Sequence, residues 1–361
     1  MSLLKEESYK LFVKRFFPLI LVPFLFFDFL FACHEVKKAN NLSERSLSIY
    51  KEYIEEFGGP ITEEKIQKIE ELQNEAAEIS EGREKIYNAY KSERITLSEY
   101  EKQSEEYNRK LTRLDGLNAF LRVYNRAMLN GIEIADSTVW SVLLANKSVN
   151  IFTLIPVILM VLLLVVVDRE SGMDYIKSSV VNGKEKLWNI QLFLILSIPF
   201  LVGIFSGTLH FLAGETCYGI SFLDAELKSI EGFEACQKNI SVIYAYLISV
   251  LLKSFGLSFL SVMTYAVGVI LNSSLYTAFF SLGATYLPAY VFKGKRILFY
   301  LPFPSALLSP SGWFSAFLTD GDSMTAALPF SHAIVYSAAI LLLIIILSLA
   351  AKRQRKMKVI V

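Results

Sequence analysis

Ile151-Phe152-Thr153-Leu154-Ile155-Pro156-Val157-Ile158-Leu159-Met160-Val161-Leu162-Leu163-Leu164-Val165-Val166-Val167 contains no charged residue and is followed at once by Asp168-Arg169-Glu170. As a helix this run is roughly 26 Å long, close to the hydrocarbon thickness of about 30 Å that a transmembrane helix must cross. Its β-branched and leucine side chains lie all round the helix, so no face of it suits water. The stretch reads as a short, nearly upright membrane span ending at a polar boundary.

Similar runs occur at Phe16–Cys33, Leu187–Ala213, Val242–Leu271, Leu275–Phe292 and Ala333–Ala351. The bulk composition agrees, with 53% hydrophobic and 13% aromatic residues and a mean hydropathy of +0.42, which is too apolar for an ordinary water-facing surface. The formal net charge of +1 hides a partition, because most charges fall in one block between Glu35 and Arg126. The expected fold class is therefore an all-α membrane protein with six transmembrane helices and a large polar insert between the first two. Val242–Leu271 is too long for one upright crossing and is interrupted by Lys253-Ser254-Phe255-Gly256. It reads either as an interfacial helix leading into a span or as one tilted helix with a snorkelling lysine.

The basic run Lys352-Arg353-Gln354-Arg355-Lys356-Met357-Lys358 after the last span places the C-terminus in the cytoplasm. Six crossings put the N-terminus there too, in agreement with Lys5, Lys10, Lys14 and Arg15 before the first span and Arg169, Lys177, Lys184 and Lys186 after the second. Lys293-Gly294-Lys295-Arg296 then falls outside, which leaves open a re-entrant segment or a different number of crossings between Val242 and Phe292. Residues 1–15 read as a cytoplasmic amphipathic helix and 16–33 as a retained first span. Leu30-Phe31-Ala32-Cys33 resembles a lipoprotein attachment box, but Phe31 is bulky for it and Asp28 interrupts the apolar core of a leader.

Residues 34–148 read as an extracellular helical hairpin domain. Gly58-Gly59-Pro60 is a break, and Thr62-Glu63-Glu64-Lys65 supplies a capping threonine and acidic first-turn residues. Ile66, Ile69, Leu72, Ala76, Ile79, Ile86 and Tyr90 recur at helical spacing. A second helix is expected near Ser98, after a turn at Ser92–Thr96, with Tyr100, Tyr107, Leu111, Leu114 and Leu121 facing inward. That stripe either zips two helices together or leaves a surface that recognises cargo or a partner.

Cys217 and Cys236 flank a loop, 214–239, expected to face an oxidising exterior, where they would form a disulfide; in a reducing environment they would be two thiols. Asp28 is the acidic residue inside the first span, toward its outer end. Such a carboxylate marks a substrate contact, a pairing with a neighbouring helix, or simple closeness to the interface. His34, His210 and His332 are too scattered to suggest a metal site. No G-x-x-x-x-G-K-[ST] motif is present, so any ATP would be bound by another chain.

The cytoplasmic segment after the second span, Asp168 to Trp188, carries an acidic residue, Glu170, then Gly172, a stretch able to form a short helix, the turn Asn182-Gly183, and basic Lys186 at the opening of the third span. This order resembles the permease, or transmembrane subunit, of ABC-2 type ABC transporters, although the proline common in that turn is missing from Val181-Asn182-Gly183. The resemblance implies that loop 168–188 holds a coupling helix docking into a partner ATPase, with Glu170, Gly172, Met173, Asp174, Ile176 and Ser178 at the contact. It extends to Asn272-Ser273-Ser274 between the fourth and fifth spans, and to Leu301-Pro302-Phe303-Pro304 and Pro310-Ser311-Gly312-Trp313, which are similar to the family's re-entrant or outer helices over 293–331.

The family implies an ABC ATPase dimer as partner, a second permease in a homo- or heterodimer, the lipid bilayer as surroundings and no nucleic acid. No cofactor is expected on this chain, since ATP and Mg would sit on the ATPase, and the chain is not expected to be an enzyme. The expected function is export of a peptide, antimicrobial or lipid across a bacterial plasma membrane. The alternative is a membrane-anchored extracellular sensor or scaffold without transport.

Overall fold

The computed structural model describes residues 3–92, 94–144, 150–173, 183–234, 236, 239–291, 304–308, 317–320, 323–326, 341 and 345. Of the last expected span, Ala333–Ala351, only Leu341 and Ile345 are among them. Lys293–Arg296 and Pro310–Trp313 lie outside the described residues. The chain forms two compact units: residues 1–36, 142–219 and 243–361 make the first, and residues 37–141 and 220–242 the second.

The first unit opens with α1, Leu3–Tyr9, which runs into a π turn at Lys10–Lys14. Among the described residues four helices are long and apolar enough to cross a membrane: α2, Phe17–Ala39; α7, Ile151–Glu170; α8, Gly183–Cys217, from Leu187 onward; and α9, Val242–Leu271. This is a membrane protein. Sequence reading expects six spans, and four such helices are present among the described residues. The apolar stretches of α7 and α9 are 67% and 72% buried, against 17% for α2, so α7 and α9 form the interior of this unit.

Two apolar clusters enclose α7. Met160, Leu164 and Val165 pack with Leu11, Phe17, Ile195, Val262 and Tyr265, while Leu154, Val157 and Val166 pack with Val202, Leu257, Leu260 and Leu308. Glycines let the helices approach, as small residues do where no hydrophobic effect separates helix from lipid. A Cβ on Gly203 would stand 2.6 Å from Ser254 Cα, and one on Gly207 2.5 Å from Val250, both on α9. A Cβ on Gly268 would stand 2.5 Å from Val166.

α9 continues through Lys253-Ser254-Phe255-Gly256 without a break. At 1.5 Å per residue it is roughly 45 Å long, more than the hydrocarbon thickness of about 30 Å. Asn272 ends it in the left-handed region, φ 51°, which asparagine tolerates better than most residues. α10, Ser274–Val291, buries Thr277, Ser281, Thr285 and Pro288 on one face. Thr277 and Thr285 donate to Ser273 and Ser281 carbonyls at 2.6 and 2.8 Å, so neither hydroxyl needs water. After α11, Ser305–Leu308, two short antiparallel strands follow, β1 (Phe317–Asp320) and β2 (Ser323–Ala326). They stand where outer or re-entrant helices are expected from sequence.

The second unit holds α3 (Glu44–Phe57), α4 (Glu63–Lys91) and α5 (Leu97–Asn130), with α6 (Thr138–Leu144) beginning in it. α4 and α5 make the expected pair. Thr62 caps α4, and Thr96 and Glu99 form a reciprocal capping box, with Thr96 N–H donating to Glu99 at 2.9 Å. α5 therefore starts one residue before the expected Ser98. Tyr90 and Tyr100 stack at 4.5 Å near the turn, and Arg113 meets Glu75 at 3.1 Å. Gly131, φ 61°, closes α5 with the left-handed residue that favours glycine.

A hairpin alone does not account for this unit. α3 buries Ser46, Tyr50, Ile54 and Phe57 at helical spacing, in a cluster with Ile69, Leu117, Phe120 and Tyr124. Gly116 makes that approach possible, because a Cβ there would lie 2.6 Å from the Ser46 carbonyl oxygen. Residues 220–242 belong here as well. Trp140 Nε1 donates to Ser221 O at 2.8 Å, Arg126 Nη2 to Ser229 O at 3.0 Å, and Glu226 N–H to Glu133 at 2.7 Å.

The expected Cys217–Cys236 disulfide is not formed. Cys217 ends α8 in the first unit and Cys236 belongs to the second. Hydrogen bonds from Trp140, Arg126 and Glu226 hold this part of the loop instead. Replacing Gly116 with alanine is expected to force α3 off α5 at a cost of about 1–3 kcal/mol. Amide exchange of the whole protein would read this as faster exchange across Glu44–Phe57 than in the parent, with α7 and α9 unchanged.

Candidate functional site

Two polar arrangements stand out in the membrane unit, one at the end of α7 and one in the middle of α2. The first begins with Asp168 and Glu170. Residues two apart on a helix point about 200° from each other, so these carboxylates reach different elements.

Asp168, 3% exposed, takes ion pairs from both Lys10 and Arg15. Those two residues are five apart and would diverge on an α-helix. The π turn, in which Arg15 N–H donates to Lys10 O at 3.0 Å, stacks them instead. Lys10 also donates to Leu164 O at 3.1 Å, within a second π turn, Leu162–Val166, in α7. Leu11 and Phe17, both buried, close the joint with apolar contacts.

Glu170 turns the other way. Its Oε1 accepts from Ser274 N–H at 2.7 Å and from Ser274 Oγ at 3.2 Å, so it caps α10, where an anion also complements the helix dipole. Gly172, φ 74°, terminates α7 in the left-handed region with open space around it, so its role is conformational. Met173 is 47% exposed. Asp174, Ile176 and Ser178 lie outside the described residues. Thus Glu170 and Gly172 shape the root of the loop and Met173 is available to a partner.

The second arrangement centres on Asp28. Helix α2 extends to Ala39, so Asp28 is the middle residue of the helix, and it is fully buried. Ser206 Oγ donates to Oδ2 at 2.6 Å, and His210 Nε2 lies 2.8 Å from Oδ1. Ser206 and His210 are four apart on α8 and share a face. Asn150 Nδ2 donates to Oδ1 as well, while its own Oδ1 accepts from Phe152 N–H at 2.9 Å. One amide therefore caps α7 and binds the carboxylate, which faces the positive end of the α7 dipole. Lys253 and Tyr246 on α9 lie within electrostatic range. Of the readings open from sequence, the carboxylate has the helix-pairing partners. His210, too far from the other histidines to suggest a metal site, is its neighbour.

Lys10, Arg15, Asn150, Ser206 and His210 were not singled out as site residues by sequence. Spacing by fives at Lys10 and Arg15 signals nothing unless a π turn is known, and lone Ser, Asn and His residues carry no motif. Among the described residues no group of three or more His, Cys, Asp or Glu is placed to hold a metal ion. No family model, no curated protein and no solved structure matches this chain.

Asp28→Asn removes the charge that balances this donor set. Hydrogen bonds to a charged group contribute about 1.5–3 kcal/mol, so the variant is expected to melt clearly below the parent in nanodiscs, with Ser206→Ala melting in between. Equal melting temperatures would show that the cluster does not hold α2. Asp168→Asn is expected to free the N-terminal segment, seen as faster tryptic cleavage after Lys10, Lys14 and Arg15 with the spans still intact.

Proposed function

We propose that this chain is the transmembrane subunit of an ATP-driven ABC-2 type transporter, exporting a peptide, an antimicrobial or a lipid. The observation that carries the reading is the wiring of residues 168–173. Asp168 ties the root of the loop to the N-terminal segment, Glu170 ties it to the start of α10, and Gly172 and Met173 lead from it. A push on that root has three helices to move. Rigid-body transfer between packed elements is how such a push would travel.

In this reading the loop 168–188 contains the coupling helix, with Glu170, Gly172, Met173, Asp174, Ile176 and Ser178 at or near the contact. ATP and Mg are held by a separate ATPase dimer, and a second permease completes the path. Six spans cross a bacterial plasma membrane, both termini are cytoplasmic, and the helical unit stands outside. α10 suits a fifth span, since it is about 27 Å long and carries exposed Tyr276 at one end and Tyr286 and Tyr290 toward the other. Tyrosines at both ends are what membrane interfaces favour. The fully apolar exposed residues between them, Phe279, Phe280 and Leu287, suit hydrocarbon.

A second reading is a membrane-anchored sensor or scaffold, favoured by the separate core of the unit containing α3, α4 and α5. Affinity purification separates the two. The tagged parent is expected to bring down a soluble nucleotide-binding ATPase, and Gly172→Asp with Met173→Asp is expected to lose it while eluting as a folded membrane protein. No ATPase in any of several mild detergents would sink the transporter and leave the sensor.

A further inference from the structure

α8 and α9 touch along Gly203–Ser254 and Gly207–Val250, and beside that contact runs a groove of about 650 Å³. Its walls include Phe193 and Phe200 on α8, Leu251 and Phe255 on α9, Leu307 on α11 and Leu341 of the last expected span. Phe200 and Phe255 meet edge to face across it, with ring centroids 5.2 Å apart. The volume lies in the range of built small-molecule sites, roughly 300–1,000 Å³.

We propose that this groove binds the acyl chain of a membrane phospholipid. Three observations select that occupant. Both main walls belong to helices apolar enough to span a membrane, so hydrocarbon and not water reaches the opening. Phe193, Leu201, Leu251 and Phe255 are each about half exposed, so the groove opens sideways between the helices.

The third observation is what the walls lack. Among the described residues that line it, two hydroxyls, Ser197 and Ser258, are the polar side chains and none is charged. Ser258 is committed to the Leu196 and Ser254 carbonyls at 2.9 and 3.1 Å. A ligand with its polar group inside would leave that group without partners at membrane depth, which is costly. An amphiphile avoids this by inserting a hydrocarbon chain and leaving its headgroup outside. Joined to the transporter reading, on which this last step rests, the groove points to an acyl-bearing substrate in place of a soluble peptide.

The test uses the full chain in phosphatidylethanolamine and phosphatidylglycerol nanodiscs containing a trace of phosphatidylethanolamine with a diazirine-bearing acyl chain. After illumination, labelled peptides are mapped by mass spectrometry. Labelling of 193–201 and 248–258 is expected to exceed that of the exposed face of α10 at least fivefold. Ser197→Phe, which places a ring in the groove, is expected to cut it at least fivefold with α10 labelling unchanged. Labelling that follows exposed area alone, or that Ser197→Phe does not reduce, overturns the proposal. So does labelling by a free fatty-acid probe but not by the phospholipid. If Ser197→Phe aggregates, Leu252→Phe makes the same comparison. Because ATPase recovery is measured separately, groove labelling without an ATPase would remove the transporter reading alone, and an ATPase without groove labelling would remove only the lipid site.

Discussion

A carboxylate at the centre of a membrane helix has no water to solvate it, and much of the membrane unit is arranged around that constraint. Asp28 collects donors from α7 and α8, with a lysine of α9 within electrostatic range. Desolvation makes a lone carboxylate there costly, while the same low polarity strengthens each bond it makes. The approach of α2 to its neighbours is thereby specified by a polar contact, even though most of the exposed face of α2 is aliphatic or aromatic. Apolar packing alone would leave its rotation weakly defined, since lipid and protein offer similar surroundings to a leucine.

α7 is the element on which these constraints converge. Asn150 fastens its beginning to Asp28, and Asp168 and Glu170 fasten its end to the N-terminal segment and to α10. Between those ends its side chains fill both apolar clusters. A helix secured at both ends and buried along its length can transmit displacement with little loss to bending. The separate unit containing α3, α4 and α5 has a core of its own.

Hydropathy made four membrane helices legible, because a solvent of hydrocarbon leaves a direct trace in composition. The capping Thr62 and the turn at Ser92–Thr96 made the α4–α5 pair legible to within a residue, since both act on their own local backbone. What could not be read was whatever depended on long-range approach. α3 escaped notice although Tyr50, Ile54 and Phe57 lie at helical spacing, because its packing is licensed by Gly116, far along the chain. The Cys217–Cys236 pairing looked reasonable from the loop they bracket, yet the loop is held by Trp140, Arg126 and Glu133. The site was half legible: Glu170 and Gly172 stand out in sequence order, whereas Asp168 gains its meaning from Lys10 and Arg15, more than a hundred and fifty positions earlier.

The π turn at Leu162–Val166 has a consequence for how this chain can vary. A π turn amounts to one extra residue absorbed locally in an α-helix, so deleting a residue there would restore regular winding and leave Asp168 and Glu170 at the azimuth they have. A deletion in a regular turn of α7 would instead rotate everything beyond it by about 100° relative to Asn150. Asp168 would then swing away from Lys10 and Arg15, and Glu170 from the start of α10, with hydropathy almost unaltered. The azimuth of these carboxylates is thus stored as a count of residues, and two sequences with equally convincing spans could differ in whether their helices are connected at all.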